Sequence, residues 1–287
     1  MSDDHVVLLG TKGGPAVRPG SSLPTSNLIC LNGQKIILDC ALGVTKGLID
    51  QNIQLRDISL IFITHLHSDH YLELGPLLHT AWTAGLKSTV TIYGPDGLMR
   101  YWDGFLASMK DDIDLRIMDE GRPDLRSLVT IHVIDEGDIM THQGIKVSAI
   151  RNQHPPLVDT FAISFKTDRR HIVFSGDTAP ISEIETFAKG ADLLVHEAML
   201  EAALPALMAR IGNGTDKLMA HWLRSHSFAH DAAKIATKAG VGHLALSHLI
   251  PADDPDYGVE DWQQAVAGFW DGPLTVGHDG VKITFAD

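Results

Sequence analysis

Cysteine is almost missing from this chain: only Cys30 and Cys40 occur in 287 residues. The dipeptide Asn32-Gly33 is a two-residue hairpin signal between strands expected at 27–31 and 34–40. That register sets Cys30 opposite Lys35 and Cys40 opposite Thr25. The thiols then lie about five residues apart along the ribbon, roughly 16 Å at strand rise, which excludes a disulfide between them. Long apolar runs are missing too. No run approaches the roughly 20 residues that span a bilayer, so no membrane association is expected. The start, Met1-Ser2-Asp3-Asp4-His5, has neither the basic segment nor the apolar core of a secretion signal, and cytoplasmic residence is the expectation. Positive charge is scarce: 23 Lys and Arg stand against 36 Asp and Glu, a formal net charge of −13. Proteins that track phosphate backbones usually carry a basic footprint, so nucleic acid is not expected as a partner.

The chain does have bulk for a core, with 44% hydrophobic residues, and helical and strand patterns interleave along it, an α/β signature. Strands are expected near 6–9, 27–31, 34–40, 58–63, 89–93, 129–134, 145–150, 160–166, 171–175, 192–195, 243–246, 274–277 and 281–285. Helices are expected near 44–51, 72–84, 95–109, 181–188, 198–211, 216–223, 228–239 and 259–267. Lys110 to Arg126, charged and holding Gly121 and Pro123, reads as a joint between two halves. Over 199–224 the spacing of Leu200, Leu204, Leu207, Met208, Leu218, Met219 and Trp222 around Gly212-Asn213-Gly214 predicts a helical hairpin. It would form either a pocket wall or a packing surface on the body or a second subunit, and a homodimer stays open.

The sharpest signal is Thr64-His65-Leu66-His67-Ser68-Asp69-His70, directly after the apolar run Leu60-Ile61-Phe62-Ile63. Two imidazoles two residues apart can reach one metal ion, and Asp69 and His70 can point at a second. Imidazole and carboxylate without thiolate suit zinc or another borderline divalent ion. Three more such residues each follow a short apolar run: His154 in Asn152-Gln153-His154-Pro155, Asp177 in Phe174-Ser175-Gly176-Asp177-Thr178, and His248 in Leu246-Ser247-His248.

Taken together these segments resemble the metallo-β-lactamase superfamily of metallo-hydrolases, whose HxHxDH signature the first run matches. The resemblance covers nearly the whole chain. It implies a four-layer αββα sandwich, one domain over 1–287 built of two pseudo-symmetric halves, about 1–125 and 126–287. It implies one metal held by His65, His67 and His154, a second by Asp69, His70 and His248, and Asp177 bridging them. The expected cofactor is two Zn2+, with Mn or Fe as alternatives. Such a pair lowers the pKa of an attacking water, which Asp69 would orient. His226, in Arg224-Ser225-His226-Ser227-Phe228, resembles the His-Ser-Thr element of ribonuclease Z, with Phe228 in place of Thr; its implied role is to assist the leaving group. Asp39 and His196-Glu197 resemble residues that orient ligands from behind. The glycine-rich Leu9 to Pro15 lacks a nucleotide-loop ending and resembles the turn that skirts the metals. Tyr71 and Asp159 each have a site reading and a packing or turn-capping reading. His5, His79, His132, His142, His171, His221, His230, His243 and His278 belong to no constellation.

Within the superfamily, His154-Pro155, Phe174 to Thr178, His196-Glu197-Ala198 and His226-Ser227 resemble the ribonuclease Z and arylsulfatase-like branch. The tRNA 3′-processing enzyme of that branch carries a long arm between the equivalents of His154 and Asp177, which in this chain stand only 23 positions apart. With the acidic charge, this favours a dinuclear zinc hydrolase of a small ester (aryl sulfate, phosphodiester or lactone-like). A ribonuclease Z-type endonuclease or a non-catalytic accessory protein on the same fold are the alternatives.

Overall fold

The Asn32-Gly33 turn sets the first strand pair. Both residues take positive φ, 49° and 75°, the twist that suits a two-residue hairpin. In the computed structural model, which describes residues 4–212 and 214–285, Ser26–Leu31 pairs antiparallel with Gln34–Cys40, with Cys30 opposite Lys35 as expected. The far end departs: the register shifts between Ser26 and Asn27, so Cys40 faces Ser26 rather than Thr25. Both thiols are free.

This hairpin lies inside a seven-stranded sheet ordered Val281–Thr284, His5–Gly10, Ser26–Leu31, Gln34–Cys40, Leu60–Phe62, Val90–Gly94, Val129–Val133. From Gln34–Cys40 onward the pairing is parallel. Parallel strands covered on both faces need unbroken apolar runs, which Ile36-Ile37-Leu38 and Leu60-Ile61-Phe62 supply. A second seven-stranded sheet is ordered Leu274–Val276, Leu244–Ile250, Leu193–Met199, His171–Phe174, Phe161–Lys166, Ile145–Arg151, Gly137–His142.

Strand alternation sorts side chains between faces. Val6, Leu8, Ile29, Ile36, Leu38 and Phe62 pack inward against Val147, Phe161, Ile163, Phe165, Ile172 and Val195 of the second sheet. Val7, Leu28, Ile37 and Ile61 face outward onto Leu74, Leu78, Trp82 and Trp102 of the covering helices. On the other outer side, Val173, Leu194 and Leu246 meet the alanine face of helix Ala229–Ala239. The result is the four-layer αββα sandwich. The chain's last strand closes the edge of the first sheet beside His5–Gly10.

Several expectations are corrected. Lys110–Glu120 is a helix, not a joint; it buries Ile113 and is laced by Arg116 pairing with Asp112 and Glu120 one turn either side, a charge pattern suited to a solvated helix face. Strand Gly137–His142 was not expected. It is a largely exposed edge strand with a register shift between Asp138 and Met140, which erases its alternation. The helix expected over 72–84 splits into Ser68–Tyr71 and Leu74–Thr83; Pro76, which has no N–H to donate, falls in the first turn of the second piece. Leu193–Met199 and Leu244–Ile250 each run four residues beyond the expected 195 and 246 because they pair with one another in parallel; the next helix accordingly begins at Leu204. Asn213 of the expected turn and Met1-Ser2-Asp3 lie outside the described residues. Among the described residues no helix is long and apolar enough to cross a membrane.

Candidate metal centre

Strand Leu60–Phe62 delivers the histidine run to the end of the first sheet, and Asp39 fixes it there. Asp39 sits at φ 64° and accepts from the Thr64 N–H at 2.8 Å and from His70 Nδ1 at 2.8 Å. Since Nδ1 donates, Nε2 of His70 is left with a free lone pair. His154 is set the same way, Nδ1 donating to the Ser225 carbonyl at 2.8 Å. His248 takes φ 45° where the register shifts between Glu197 and Ala198, a bulge that re-aims a side chain at a sheet edge.

These groups converge on one atom, Oδ2 of Asp177. It lies 3.1 Å from His248 Nε2, 3.4 Å from His70 Nε2, 3.6 Å from His65 Nε2 and 3.9 Å from His154 Nε2. His67 Nδ1 stands 3.0 Å from His154 Nε2, and Asp69 Oδ2 is 3.4 Å from His248 Nε2. Donors bonded at 2.0–2.1 Å to one tetrahedral ion stand roughly 3.4 Å apart, so these spacings fit metal ligation. Four overlapping groups could each hold an ion: His65 with His67, His154 and Asp177; Asp69 with His70 and His248; His154 with His221 and His226; and Asp177 with His226 and His248. The first two bring together the residues of the two expected ligand sets. Nε2 of His65 and of His70 and Oδ1 of Asp177 are buried with no hydrogen-bond partner, an arrangement that costs free energy unless a ligand satisfies it. Burial lowers His65 well below its ordinary pKa and takes His154 down to about 4, leaving neutral donors; despite its burial His70 goes the other way, held well above its ordinary pKa by Asp177 and Asp39. Burial alone would raise Asp69 and Asp177, but the surrounding imidazoles hold both below the usual carboxylate range. The residues present fit bound metal.

One side of this centre opens into a cavity of about 350 Å³. Lys12, Gly13 and Arg18 line one side, with His67, Asp69 and His226 at its floor, and Leu207, Ile211, Leu218, His221 and Trp222 also lining it. The hairpin over 199–224 is therefore a pocket wall. The glycine-rich turn reaches this cluster: Gly14 N–H donates to Asp69 Oδ2 at 2.7 Å. His226 Nδ1 meets the Glu197 carboxylate at 3.0 and 3.1 Å, and Glu197 also accepts from Thr178 N–H at 2.6 Å. Burial lowers His226 and raises Glu197, the latter reinforced by Asp177. Tyr71 packs edge-on against Tyr101 and is no part of the cavity lining. Asp159 pairs with Arg151 at 2.7 Å and is not among the residues lining the cavity. Among the nine histidines without a constellation, His221 is the one that lines the cavity. Its helical phase with Leu218, Trp222 and Ser225 was the available signal.

The family described as Anti-Pycsar protein Apyc1 matches residues 5–211. Ribonuclease Z of Mycobacterium sp. (strain KMS) is 30% identical over 279 residues, 96% of this chain and 94% of the relative. The chain belongs to the Apyc1 family, in the ribonuclease Z branch of the metallo-β-lactamase superfamily. Like its branch, it is a metal-dependent hydrolase. Two solved structures share the fold. The metallo-β-lactamase fold protein YhfI from Bacillus subtilis has a TM-score of 0.72 at 18% identity, covering 98% of this chain and 99% of that one. Zn(2+)-bound PqqB from Methylobacterium extorquens has a TM-score of 0.67 at 16% identity, covering 98% and 100%.

Membership in the ribonuclease Z branch overturns one expectation, that of a small-molecule substrate and no nucleic acid. The structure does fill the stretch between His154 and Asp177 with two short strands, Phe161–Lys166 and His171–Phe174. Yet the mycobacterial relatives named Ribonuclease Z match this chain over 94–96% of their own length. A short gap and an acidic total charge therefore do not exclude RNA. Net charge averages over a surface, whereas a phosphate is met locally, and Lys12 and Arg18 line this cavity.

Proposed function

We propose that this hydrolase is a cytoplasmic ribonuclease Z-type endonuclease that cleaves an RNA phosphodiester, in the manner of tRNA 3′ processing. The full-length similarity to curated ribonuclease Z proteins carries the reading. We assign His65, His67 and His154 to one zinc, Asp69, His70 and His248 to a second, and Asp177 to both. Bound divalent ions supply Lewis acidity toward the phosphoryl oxygens and make water acidic enough to attack near neutral pH. Asp69 Oδ2, already accepting from Gly14 N–H, is placed to orient that water. Lys12 and Arg18 at the rim attract the backbone.

Leaving-group protonation falls to the pair of His226 and Glu197. Burial favours the uncharged form of both, so together they hold one dissociable proton between Glu197 Oε2 and His226 Nδ1. As the P–O bond breaks, His226 Nε2 gives its proton to the leaving oxygen while Nδ1 takes the proton from Glu197; His226 ends neutral and Glu197 ends as a carboxylate that accepts from His226 Nδ1–H and Thr178 N–H. His226→Ala is expected to lower kcat by about 10²–10⁴-fold with metal content intact. The test is zinc-loaded protein with precursor tRNA bearing a 3′ trailer, read by product length on a gel. A trailer left intact while an aryl sulfate or lactone turns over would overturn the reading.

A further inference from the structure

Helix Asp216–Ser225 brings to the cavity His221 and Trp222, neither of them among the ligands assigned above. Trp222 packs against the small apolar cluster of Met199, Leu204 and Ile250, so its ring is held while still lining the cavity. His221 Nδ1 lies 3.3 Å from Ser225 Oγ, and that hydroxyl donates to the Pro155 carbonyl at 2.9 Å. A hydroxyl has one proton. Ser225 spends it on Pro155, so His221 Nδ1–H donates to Ser225 and His221 Nε2 is an acceptor. Lys12 and Arg18 line the same cavity. A held aromatic ring, a hydrogen-bond acceptor and a cationic rim around one space match the three parts of a ribonucleotide: base, hydroxylated sugar and phosphate.

We propose that this wall is a nucleoside subsite: a base stacks on Trp222, and His221 Nε2 accepts a hydrogen bond from the ribose 2′-hydroxyl. The proposal rests on the ribonuclease reading, and its test separates the two. The metal-loaded full chain is titrated with AMP, 2′-deoxy-AMP and ribose 5-phosphate, followed by intrinsic fluorescence and calorimetry. AMP should bind roughly ten-fold or more tightly than ribose 5-phosphate, the size of one base–aromatic stack. Trp222→Ala should abolish that ratio and Trp222→Phe restore most of it. His221→Ala should abolish the preference for AMP over 2′-deoxy-AMP with metal content unchanged. Equal binding of AMP and ribose 5-phosphate, or a ratio that survives Trp222→Ala, overturns the subsite; metal lost from His221→Ala overturns the role given to His221. Intact precursor tRNA with AMP still held through Trp222 sinks the ribonuclease reading alone. Cleaved precursor tRNA with KM unchanged in Trp222→Ala sinks the subsite alone.

Discussion

At Gly13 there is no room for a methyl group. A Cβ there would stand 2.5 Å from Ile250 Cγ1 and 3.0 Å from two atoms of the His248 ring. The backbone must pass this close because the neighbouring Gly14 N–H serves Asp69. Gly13→Ala is therefore expected to push His248 off the second cluster and lower bound metal, which elemental analysis after dialysis would measure; full occupancy would show that the ring can yield. Asp39 offers a cleaner dissection. Asparagine also tolerates a left-handed backbone, so Asp39→Asn keeps the turn at φ 64° but loses the carboxylate that holds His70 Nδ1–H. Removing such an orienting partner typically costs 10–100-fold in metal affinity or activity. Competition against a chromogenic chelator should show a loss of that size, and an unchanged affinity would mean that Thr64 and the strand end suffice to place His70.

Among elements, the hairpin wall stands out for how little holds it. Helix Leu204–Arg210 buries Leu204 and the following helix buries Ser225; a further tie is Arg210 to Asp254, whose carboxylate is buried while the guanidinium stays partly exposed. Hydrogen bonding to Arg210 lowers the Asp254 pKa, so the pair is charged at neutral pH. Arg210→Ala should raise hydrogen exchange across 204–225 without changing exchange in the sheets, and raise KM on RNA more than it lowers kcat. Uniform exchange would make the pair ornamental. What the sequence revealed divides along the same line. Candidate ligands were legible because continuous apolar runs place Leu60–Phe62, His171–Phe174 and the start of Leu244–Ile250 and point to the residues that come next. The edge strand Gly137–His142 was not, since a bulge in an exposed strand destroys alternation. His221 was invisible as chemistry because two of its ring neighbours, His67 and His154, lie far off along the chain. The small-molecule expectation failed for another reason: total charge and loop length say little about a phosphate met at one cavity.

The centre also joins the molecule across its middle. His65, His67, Asp69 and His70 follow a strand of the first sheet; His154 and Asp177 follow strands of the second, and His248 lies at the bulge within another. The apolar interior between the sheets already bonds them without metal, through Phe62, Phe161 and Phe165, so the fold should survive chelation. At the seam, however, chelation leaves the carboxylates of Asp69 and Asp177, 6% and 2% exposed, with imidazoles as their main compensation, and uncompensated charge is costly when buried. An ion that binds only the folded state at a thousand times its Kd stabilises by about 4 kcal/mol. For a chain of this size that is on the order of 10 °C in melting temperature. Melting followed by circular dichroism, with zinc and after exhaustive chelation, should show a drop of that order and a return on readdition. Asp177→Ala, lacking the atom on which four imidazoles converge, should shrink the zinc-dependent difference. A melting temperature indifferent to both chelation and this substitution would mean that the sheets are joined by their apolar faces alone and the centre merely rides on them.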